Sequence, residues 1–380
     1  MSKKKAPAPL GIITRFVTPP LDEVENLYKI RLQRYKLQAK IQAKLKENDY
    51  GNFKRVVGCS RTMLATPSIC LSATSGKAFY SGLLVCGSVW ACPVCSAKIQ
   101  ERRAHEISEG CFWAYHNGYK AVMMTFTHPH YKGEALADTM AKHNEALRKL
   151  RAGEPFKRFK ERTGYAGVIR GSEVTYGANG WHFHTHELWF VAADADLYAE
   201  EEWLRERWFK CVSKVGFDVT KSDSIKEHGL DILKDDSGKV AECHASDYLA
   251  KFGQHWGADR ELAKGASKVG AGKTPFELAD VDLDRFLEYV KTTKGKCQLF
   301  WSRGLKAKCG LVELSDEELA EEAMDEGELL AWLDAVAWKL VLEKEARAEL
   351  LKRAEKQGFK GVAEWFSVYG NGITIRSPLK

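Results

Sequence analysis

The chain of 380 residues carries a net charge of +7 and is 44% hydrophobic and 29% charged, a composition typical of a soluble globular protein with two or three parts. No window holds the roughly 18–20 uninterrupted apolar residues of a membrane helix. The basic N-terminus lacks the apolar stretch of a secretory signal. We therefore expect a cytoplasmic protein without a membrane partner, whose ten cysteines bind metals more readily than they form disulfides.

Charge is distributed unevenly along the chain. Residues 311–330 contain nine acidic residues and no lysine or arginine, so the chain before them is more basic than the net charge suggests. A basic body indicates an anionic partner, and nucleic acid is the first candidate. Charge alone carries little weight, because many cytosolic proteins are basic without binding DNA.

Residues 22–48 predict a long helix after a segment rich in lysine and proline. Acidic residues in its first turn suit the helix dipole, and leucine and isoleucine form a narrow apolar stripe. The basic remainder of this helix is either a solvated face or a contact to the DNA backbone.

Five cysteines lie close together in the next part of the chain. Cys92 and Cys95 have the C-x-x-C spacing that lets two thiolates bind one Zn²⁺. The spacing alone also fits redox chemistry or chance, but the context of a thioredoxin-like fold is missing. We predict that Cys59 and Cys86 complete a structural zinc site and that Cys70 is a core residue. Four buried free thiols are the alternative.

Two basic stretches are predicted to contact DNA. The first is the helix over 96–110, and the second is the segment 294–308, in which aromatic residues lie between the basic ones. The predicted DNA-binding residues are Lys98, Arg102, Arg103, Lys294, Lys296 and Arg303.

The stretch 181–190, WHFHTHELWF, places His182, His184 and His186 at alternate positions. Because side chains alternate in an extended strand, all three imidazoles project from one face. Such a face indicates a divalent-metal site. Packing of the three histidines against neighbouring aromatic residues is the alternative.

A turn before this strand permits a further prediction. If Tyr176 pairs with Trp181 across the four-residue turn, Glu173 lies opposite His184 on the same face. That carboxylate would complete a ligand set suited to Mn²⁺ or Mg²⁺, or more loosely to Zn²⁺. A one-residue change of register would turn Glu173 to the other face.

Residues 242–256 predict a helix with Tyr248, Lys251, Phe252 and His255 on one face. Such a stripe is usually part of the core. Here it also carries a hydroxyl group and a cation, which a nucleophile in phosphoryl transfer would need.

Jointly these motifs resemble the rolling-circle replication initiators (Rep proteins) of bacterial plasmids, within the wider class of HUH endonucleases. The resemblance covers roughly residues 55–310. MMTFTHPH is similar to the first motif of the family, GWHFHTH to the second and metal-binding one, and DYLAKF to the third. CGSVWACPVC followed by a basic helix matches the cysteine cluster of the family, and WSRGLK is also similar.

The resemblance implies an α+β fold in which a central antiparallel sheet carries the HUH strand, with helices packed against it. We expect a basic N-terminal tail and helix (1–55), a cysteine-rich zinc-binding subdomain (56–110), the HUH nuclease domain (111–310) and an acidic helical C-terminal region (311–380).

The resemblance also implies a metal-dependent nicking reaction. Tyr248 attacks one strand at the double-strand origin of a plasmid and stays linked to the 5′ end, while Lys251 helps to hold the phosphate. The 3′-OH primes a host polymerase, and a host helicase is a further expected partner. Mg²⁺ or Mn²⁺ is held by His184 and His186 with Glu173, and His182 is a further candidate ligand.

Two residues depart from the family pattern. Thr185 stands where the HUH motif has an apolar residue, a mild change because that side chain points away from the metal. Phe252 replaces the second tyrosine of the third motif, so Tyr248 must carry the cleavage. Termination then needs a water activated by a carboxylate, or a second subunit.

Rival interpretations share part of these features. A relaxase or a single-strand transposase would use the same chemistry. A histidine-triad hydrolase is disfavoured because Thr185 and Glu187 break its apolar alternation. A zinc-containing DNA-binding regulator without enzymatic activity would fit if the histidines were structural.

Overall fold

A computed structural model describes residues 21–73, 75–242, 272–322, 327–373 and 375–377. Tyr248, Lys251 and Phe252 lie outside the described residues, and so does nearly all of the helix predicted around them. Contacts divide the described chain into two units. The larger unit lies within 36–59 and 85–322, and the smaller unit within 21–35, 60–84 and 327–377. This division into two units does not test the functional roles expected for the four segments 1–55, 56–110, 111–310 and 311–380, which stay predictions.

The helices and strands follow one another in this order: α1 (Leu21–Gly58), β1 (Met63–Ser72), β2 (Ala78–Leu83), α2 (Pro93–His116), β3 (Tyr119–Phe126), α3 (Leu136–Leu150), α4 (Gly153–Thr163), β4 (Gly167–Gly177), β5 (Gly180–Ala192), α5 (Leu197–Lys214), α6 (Ser222–His228), β6 (Leu230–Ile232), α7 (Pro275–Val281), α8 (Leu283–Thr293), β7 (Leu299–Trp301), α9 (Leu305–Lys308), α10 (Asp316–Glu322), β8 (Gly327–Trp332), α11 (Ala335–Glu343) and α12 (Arg347–Tyr369).

The larger unit is built on a five-stranded antiparallel sheet with the strand order β6-β3-β5-β4-β7. Because β5 is central, nearly all of its side chains are buried. Trp189 and Val191 pack with residues of α3, α4 and α5 on one face of the sheet. Leu188 and Phe190 pack with residues of α2 on the other face. Alternation along β5 therefore places His184 and His186 on the face that α2 covers.

The hairpin of β4 and β5 has the register that the sequence predicts. Tyr176 pairs with Trp181, and Glu173 pairs with His184. The turn needs glycine at position 180, where φ is +89° and a Cβ atom would lie 2.8 Å from the backbone oxygen of Tyr131. The register prediction is confirmed, and it places the carboxylate on the histidine face.

Three parts of the structure go beyond the elements expected from the sequence. The basic segment after α3 forms helix α4, because Phe156, Phe159 and Thr163 give it a buried face. Residues 222–232 form α6 and the short β6. The C-terminal region, expected to be helical over 311–380, also contains β8, which gains backbone hydrogen bonds by pairing with β1.

The smaller unit packs α11 and α12 against a three-stranded antiparallel sheet of order β2-β1-β8. Its core contains a buried ion pair, in which Arg31 Nη1 donates to Glu355 Oε1 at 2.7 Å. The same carboxylate oxygen accepts the backbone N–H of Ala78 at 2.8 Å. These bonds tie α1, β2 and α12 together within this unit.

The predicted fold class is confirmed. The described chain is α+β, with antiparallel sheets, flanking helices, a cysteine cluster that could bind zinc and a C-terminal region containing α10, α11 and α12. None of the helices in the described ranges combines the length and the apolar content that crossing a lipid bilayer requires.

Candidate metal centre

Three ligand atoms meet on the face of the sheet that α2 covers. His184 Nε2 and His186 Nε2 are 3.2 Å apart, and Glu173 Oε2 is 3.2 Å from each of them. All three residues are buried. Removing an ionisable carboxylate and two imidazoles from water is costly unless they are paired or bind an ion. The three residues could hold a metal ion, and they are called the metal triad below.

The triad fits the ions expected from the sequence. With bonds of about 2.1 Å to the metal, neighbouring ligands lie about 3.0 Å apart in octahedral and about 3.4 Å apart in tetrahedral coordination. The observed distances of 3.2 Å between the three ligand atoms fall between these values. The described residues supply ligands on one side only, which suits a catalytic ion that also contacts its substrate.

Hydrogen bonding around the triad orients one of the two imidazoles. Thr125 Oγ1 on β3 is 2.9 Å from His186 Nδ1. With its proton on Nδ1, His186 donates to Thr125 and presents the lone pair of Nε2 to an ion. His184 Nδ1 is buried and has no hydrogen-bond partner among the described residues.

His182 lies beside the triad. Its Nε2 is 2.9 Å from Thr127 Oγ1, and its ring stacks between those of His130 and His184, at centroid distances of 4.6 and 4.5 Å. Burial, assisted by the nearby charge of His184, lowers the pKa of His182 to about 3. The ring is therefore neutral, and its role as a ligand stays a prediction.

A polar network on the opposite face of the sheet contains Thr185. The hydroxyl of this fully buried residue is 3.1 Å from His143 Nε2 on α3, and His143 Nδ1 is 2.9 Å from His128 Nδ1. Burial lowers the pKa of both imidazoles well below the usual range of histidine. The structure thus supplies a hydrogen-bond partner for the hydroxyl that departs from the family pattern.

No motif in the sequence marks His143 as a functional residue. It lies on the buried face of α3 with Met140, Leu147 and Leu150, where a histidine is easily taken for a core residue. A polar side chain among these apolar positions was the available signal, because buried polar groups need partners.

The four predicted zinc ligands also come together. The Sγ atom of Cys95 is 3.5 Å from that of Cys59 and 3.6 Å from that of Cys86, and the Sγ atoms of Cys92 and Cys59 are 3.8 Å apart. Tetrahedral Zn²⁺ with bonds of about 2.3 Å would separate sulfur atoms by about 3.8 Å. The four cysteines are buried and form no disulfides. The cluster therefore fits a structural zinc ion, while Cys70 lies in β1 of the smaller unit.

Local contacts prepare this cluster for metal. Cys92 precedes the first turn of α2, and Cys95 lies within it, where the helix dipole favours thiolates. Gln38 Nε2 and the backbone N–H of Ser88 donate to Cys92 and Cys86 at 3.4 Å each. Hydrogen bonds within the cluster, first with Cys86, hold the pKa of Cys59 well below that of a free thiol, whereas the hydrogen bond with Cys59 raises the pKa of Cys86 and burial raises that of Cys92.

The predicted DNA-binding residues have different surroundings. Lys294, Lys296 and Arg303 are exposed, whereas Lys98 and Arg102 are half-buried on α2. The six residues also include Arg103, which donates to Glu106 at 2.9 Å and to Asp316 at 3.1 Å. Their contact with DNA stays a prediction, as do the roles of Tyr248 and Lys251 outside the described residues.

A cleft of about 780 Å³ in the larger unit connects several of these features. Lys294 and Lys296 line it together with the aromatic residues Phe53, Trp90 and Phe300. Its lining also contains three carboxylates, those of Glu313, Asp316 and Glu317. Basic and aromatic side chains suit single-stranded DNA, and the carboxylates restrict the favourable part of the cleft to its basic side.

Comparison with known proteins gives one family and two relatives. A family model described as "Replication protein" matches residues 84–339. A protein of Streptomyces lividans named "Protein rep" is 27% identical over 366 residues, covering 77% of this chain and 79% of its own. A protein of Streptomyces cyanogenus named "Neomycin resistance protein" is 34% identical over 143 residues, covering 31% and 32% of the two chains. No solved structure matches.

The metal triad can be tested by binding of Mn²⁺. Replacing His186 by alanine removes a ligand, and Thr125→Val removes the group that orients it, so both should weaken binding, the latter by roughly 10–100-fold. Isothermal titration calorimetry measures this, and His105→Ala, an exposed histidine on α2, is the control. Equal affinities of the wild type and His186→Ala would contradict the assignment.

The cysteine cluster can be tested by elemental analysis of protein purified without added metal. We expect about one zinc ion per chain, and its loss in Cys92→Ser and Cys95→Ser because a thiolate ligand is removed. Cys297→Ser should retain zinc, since that cysteine is exposed and outside the cluster. Less than half an equivalent of zinc in the wild type would contradict a structural zinc site.

The network behind the histidine strand predicts sensitivity to acid. His128 and His143 have lowered pKa values when folded, chiefly through burial, with nearby histidines, Arg170 and Lys142 adding to the effect. Below the unfolded-state pKa of about 6.5, the unfolded chain binds more protons than the folded one. The free energy of unfolding should therefore fall by roughly 2 kcal/mol between pH 6 and pH 5 for the two groups.

Urea unfolding at pH 7, 6 and 5 measures this dependence. The double variant Thr185→Val/His143→Phe removes one imidazole with a lowered pKa together with its partner, so its loss of stability between pH 6 and pH 5 should be smaller than that of the wild type by roughly 1 kcal/mol. His116→Asn, which changes a histidine outside this network, should retain the slope of the wild type. A wild-type slope in the double variant would refute the role of His143.

Proposed function

The chain belongs to the replication protein family, the plasmid replication initiators that its motifs resemble, and we propose that it starts replication by nicking one strand of the double-strand origin. The reaction is proposed to be that of an HUH endonuclease with a tyrosine nucleophile. The observation that carries this proposal is the buried triad of Glu173, His184 and His186, with ligand atoms 3.2 Å apart.

The triad supports phosphodiester chemistry through its one-sided arrangement. A bound Mg²⁺ or Mn²⁺ would polarise the scissile phosphate and offset the charge that develops on it. Glu173 and the two histidines would hold the ion, and Thr125 keeps the ring of His186 in the orientation that this requires. The burial of the three residues would shield the bonds to the ion from water and strengthen their electrostatic effect.

The proposed nucleophile is Tyr248, which lies outside the described residues and is assigned from the third motif. Its hydroxyl oxygen forms a bond to phosphorus while the bond to the 3′ oxygen of the preceding nucleotide breaks. The tyrosine proton passes to a base, and the 3′ oxygen leaves as a hydroxyl. The phosphotyrosine link retains the energy of the broken bond for later rejoining. Lys251 is proposed to hold the phosphate.

Among the described tyrosines, Tyr289 lines a small cavity together with Glu173. It is an unsuitable nucleophile, because burial raises the pKa of its hydroxyl well above the usual value for tyrosine. This residue provides a matched control for Tyr248, since both substitutions by phenylalanine remove only a hydroxyl group.

Binding of origin DNA is proposed to use the basic residues of the larger unit. Lys294 and Lys296 are exposed in the cleft that also contains Phe53, Trp90 and Phe300. Phosphate contacts by lysine and stacking on aromatic side chains would hold a single strand with little dependence on its sequence. A host helicase and a host polymerase are proposed to act on the nicked product.

The nicking reaction can be tested with single-stranded oligonucleotides from the origin of the plasmid that encodes the chain. With Mn²⁺, the wild type should form a covalent protein–DNA adduct on denaturing gels. Tyr248→Phe should form none, because the nucleophile is missing, whereas Tyr289→Phe should retain it. Adduct formation that persists in Tyr248→Phe would refute the nucleophile.

The same assay separates the rival functions. His184→Ala and His186→Ala should abolish cleavage while duplex binding stays, because they remove the metal and leave the DNA-binding surface intact. Binding without cleavage by the wild type would favour a regulator. Cleavage at a transfer origin or at transposon ends, in place of the replication origin, would favour a relaxase or a transposase.

A further inference from the structure

A pocket of about 380 Å³ lies beside the metal triad in the larger unit. The loop after β3, the turn between β4 and β5, and the region of α6 form its walls. The lining residues with polar side chains that matter here are His128, His130, Asn179, His182, Lys221 and His228. His182 connects the pocket to the triad, because its ring stacks on that of His184 at a centroid distance of 4.5 Å.

The hydrogen-bond donors in this lining indicate an anionic ligand. The described residues that line the pocket include the cation of Lys221 and the rings of four histidines, which can donate hydrogen bonds, and no aspartate or glutamate. The larger cleft differs, since three carboxylates line it. A second metal ion is not indicated: in the described part of the chain, the triad and the four cysteines are the groups whose ligand atoms converge.

The size and chemistry of the pocket indicate more than a phosphate ion. Its volume lies in the range of pockets for small organic ligands, about 300–1,000 Å³. Lys221 is exposed and can pair with a phosphate. The Asn179 amide can donate to and accept from the edge of a base, and the ring of His130 offers a flat surface for stacking. Together these groups match one nucleotide.

One polar atom in the pocket wall lacks a partner. His128 is 3% exposed, its Nδ1 contacts His143, and its ring stacks on Phe217 at a centroid distance of 4.1 Å. Its Nε2 has no hydrogen-bond partner among the described residues. A buried polar atom without a partner is unfavourable, so a ligand that reaches this nitrogen would gain affinity.

We propose that this pocket binds one nucleotide of single-stranded DNA, next to the phosphate held at the triad. The inference rests on the proposed nicking function and extends it, because the pocket would read a base beside the nick. His130 and Asn179 contact the base, and Lys221 contacts a backbone phosphate. Binding here also places the strand against His182, one ring away from His184.

The test measures DNA binding without cleavage. Tyr248→Phe protein in buffer without added Mg²⁺ or Mn²⁺ is titrated into a fluorescein-labelled pool of 16-nucleotide DNA of mixed sequence, and anisotropy gives the affinity. His130→Ala and Lys221→Ala should each weaken binding about 5-fold or more, because each removes a contact worth about 1 kcal/mol. Lys221 is exposed and His130 is half-buried, so neither substitution opens a large cavity in the core and both variants should fold.

Matched controls change similar residues outside the pocket. Lys226→Ala on α6 removes a lysine paired with Glu206, and His105→Ala removes an exposed histidine of α2. Both should alter the affinity less than 2-fold, since neither residue lines the pocket. Unchanged affinity in both His130→Ala and Lys221→Ala would overturn the proposal.

A second oligonucleotide separates a nucleotide site from a phosphate site. A 16-unit strand of abasic residues keeps the phosphates and lacks the bases, so its binding should depend on Lys221 and be independent of His130. Equal dependence on His130 with and without bases would mean a phosphate site only, and would overturn the nucleotide assignment. This assay measures binding and not cleavage. Failure of the nicking assay and failure of the nucleotide pocket can therefore be told apart.

Discussion

The pairing of β4 with β5 is the constraint on which the candidate active site depends. Glu173 meets His184 and His186 only in the observed register, since a shift by one residue would turn the carboxylate to the opposite face. The turn at Gly180 and the apolar residues on both faces of β5 hold this register. The pairing of β4 with β5 therefore both builds the core of the larger unit and assembles the metal triad.

The two faces of β5 have different polar partners at the same positions along the chain. His184 and His186 face the metal site, whereas Thr185 between them faces His143 and, through it, His128. Buried polar groups are tolerated where each finds a partner. Polar contacts therefore fix β5 on both faces at the position of the metal triad. His128 belongs both to this network and to the lining of the proposed nucleotide pocket.

The cysteine cluster lies at the start of the helix that covers the triad face. Cys92 and Cys95 lie at the start of α2, and Ile107 further along this helix packs in the same cluster as Leu188 of β5. A zinc ion at the cluster would fix the beginning of α2 and, through the packing of the helix, support the sheet. A zinc ion at the cysteines would thus support the structure, whereas an ion at the triad would take part in catalysis.

Much of the candidate site follows from local properties of the sequence. The alternation of His182, His184 and His186, the turn that brings Glu173 opposite His184, and the C-x-x-C spacing depend on neighbouring residues and on strand geometry, so they could be predicted. Only the tertiary structure brings His143 within hydrogen-bond distance of Thr185, 42 residues away. It also forms the pocket beside His182 from three separate segments of the chain. The strand β8 depended on pairing with the distant β1 in the same way. Contacts between residues far apart in the chain arise from packing, which local periodicity does not encode.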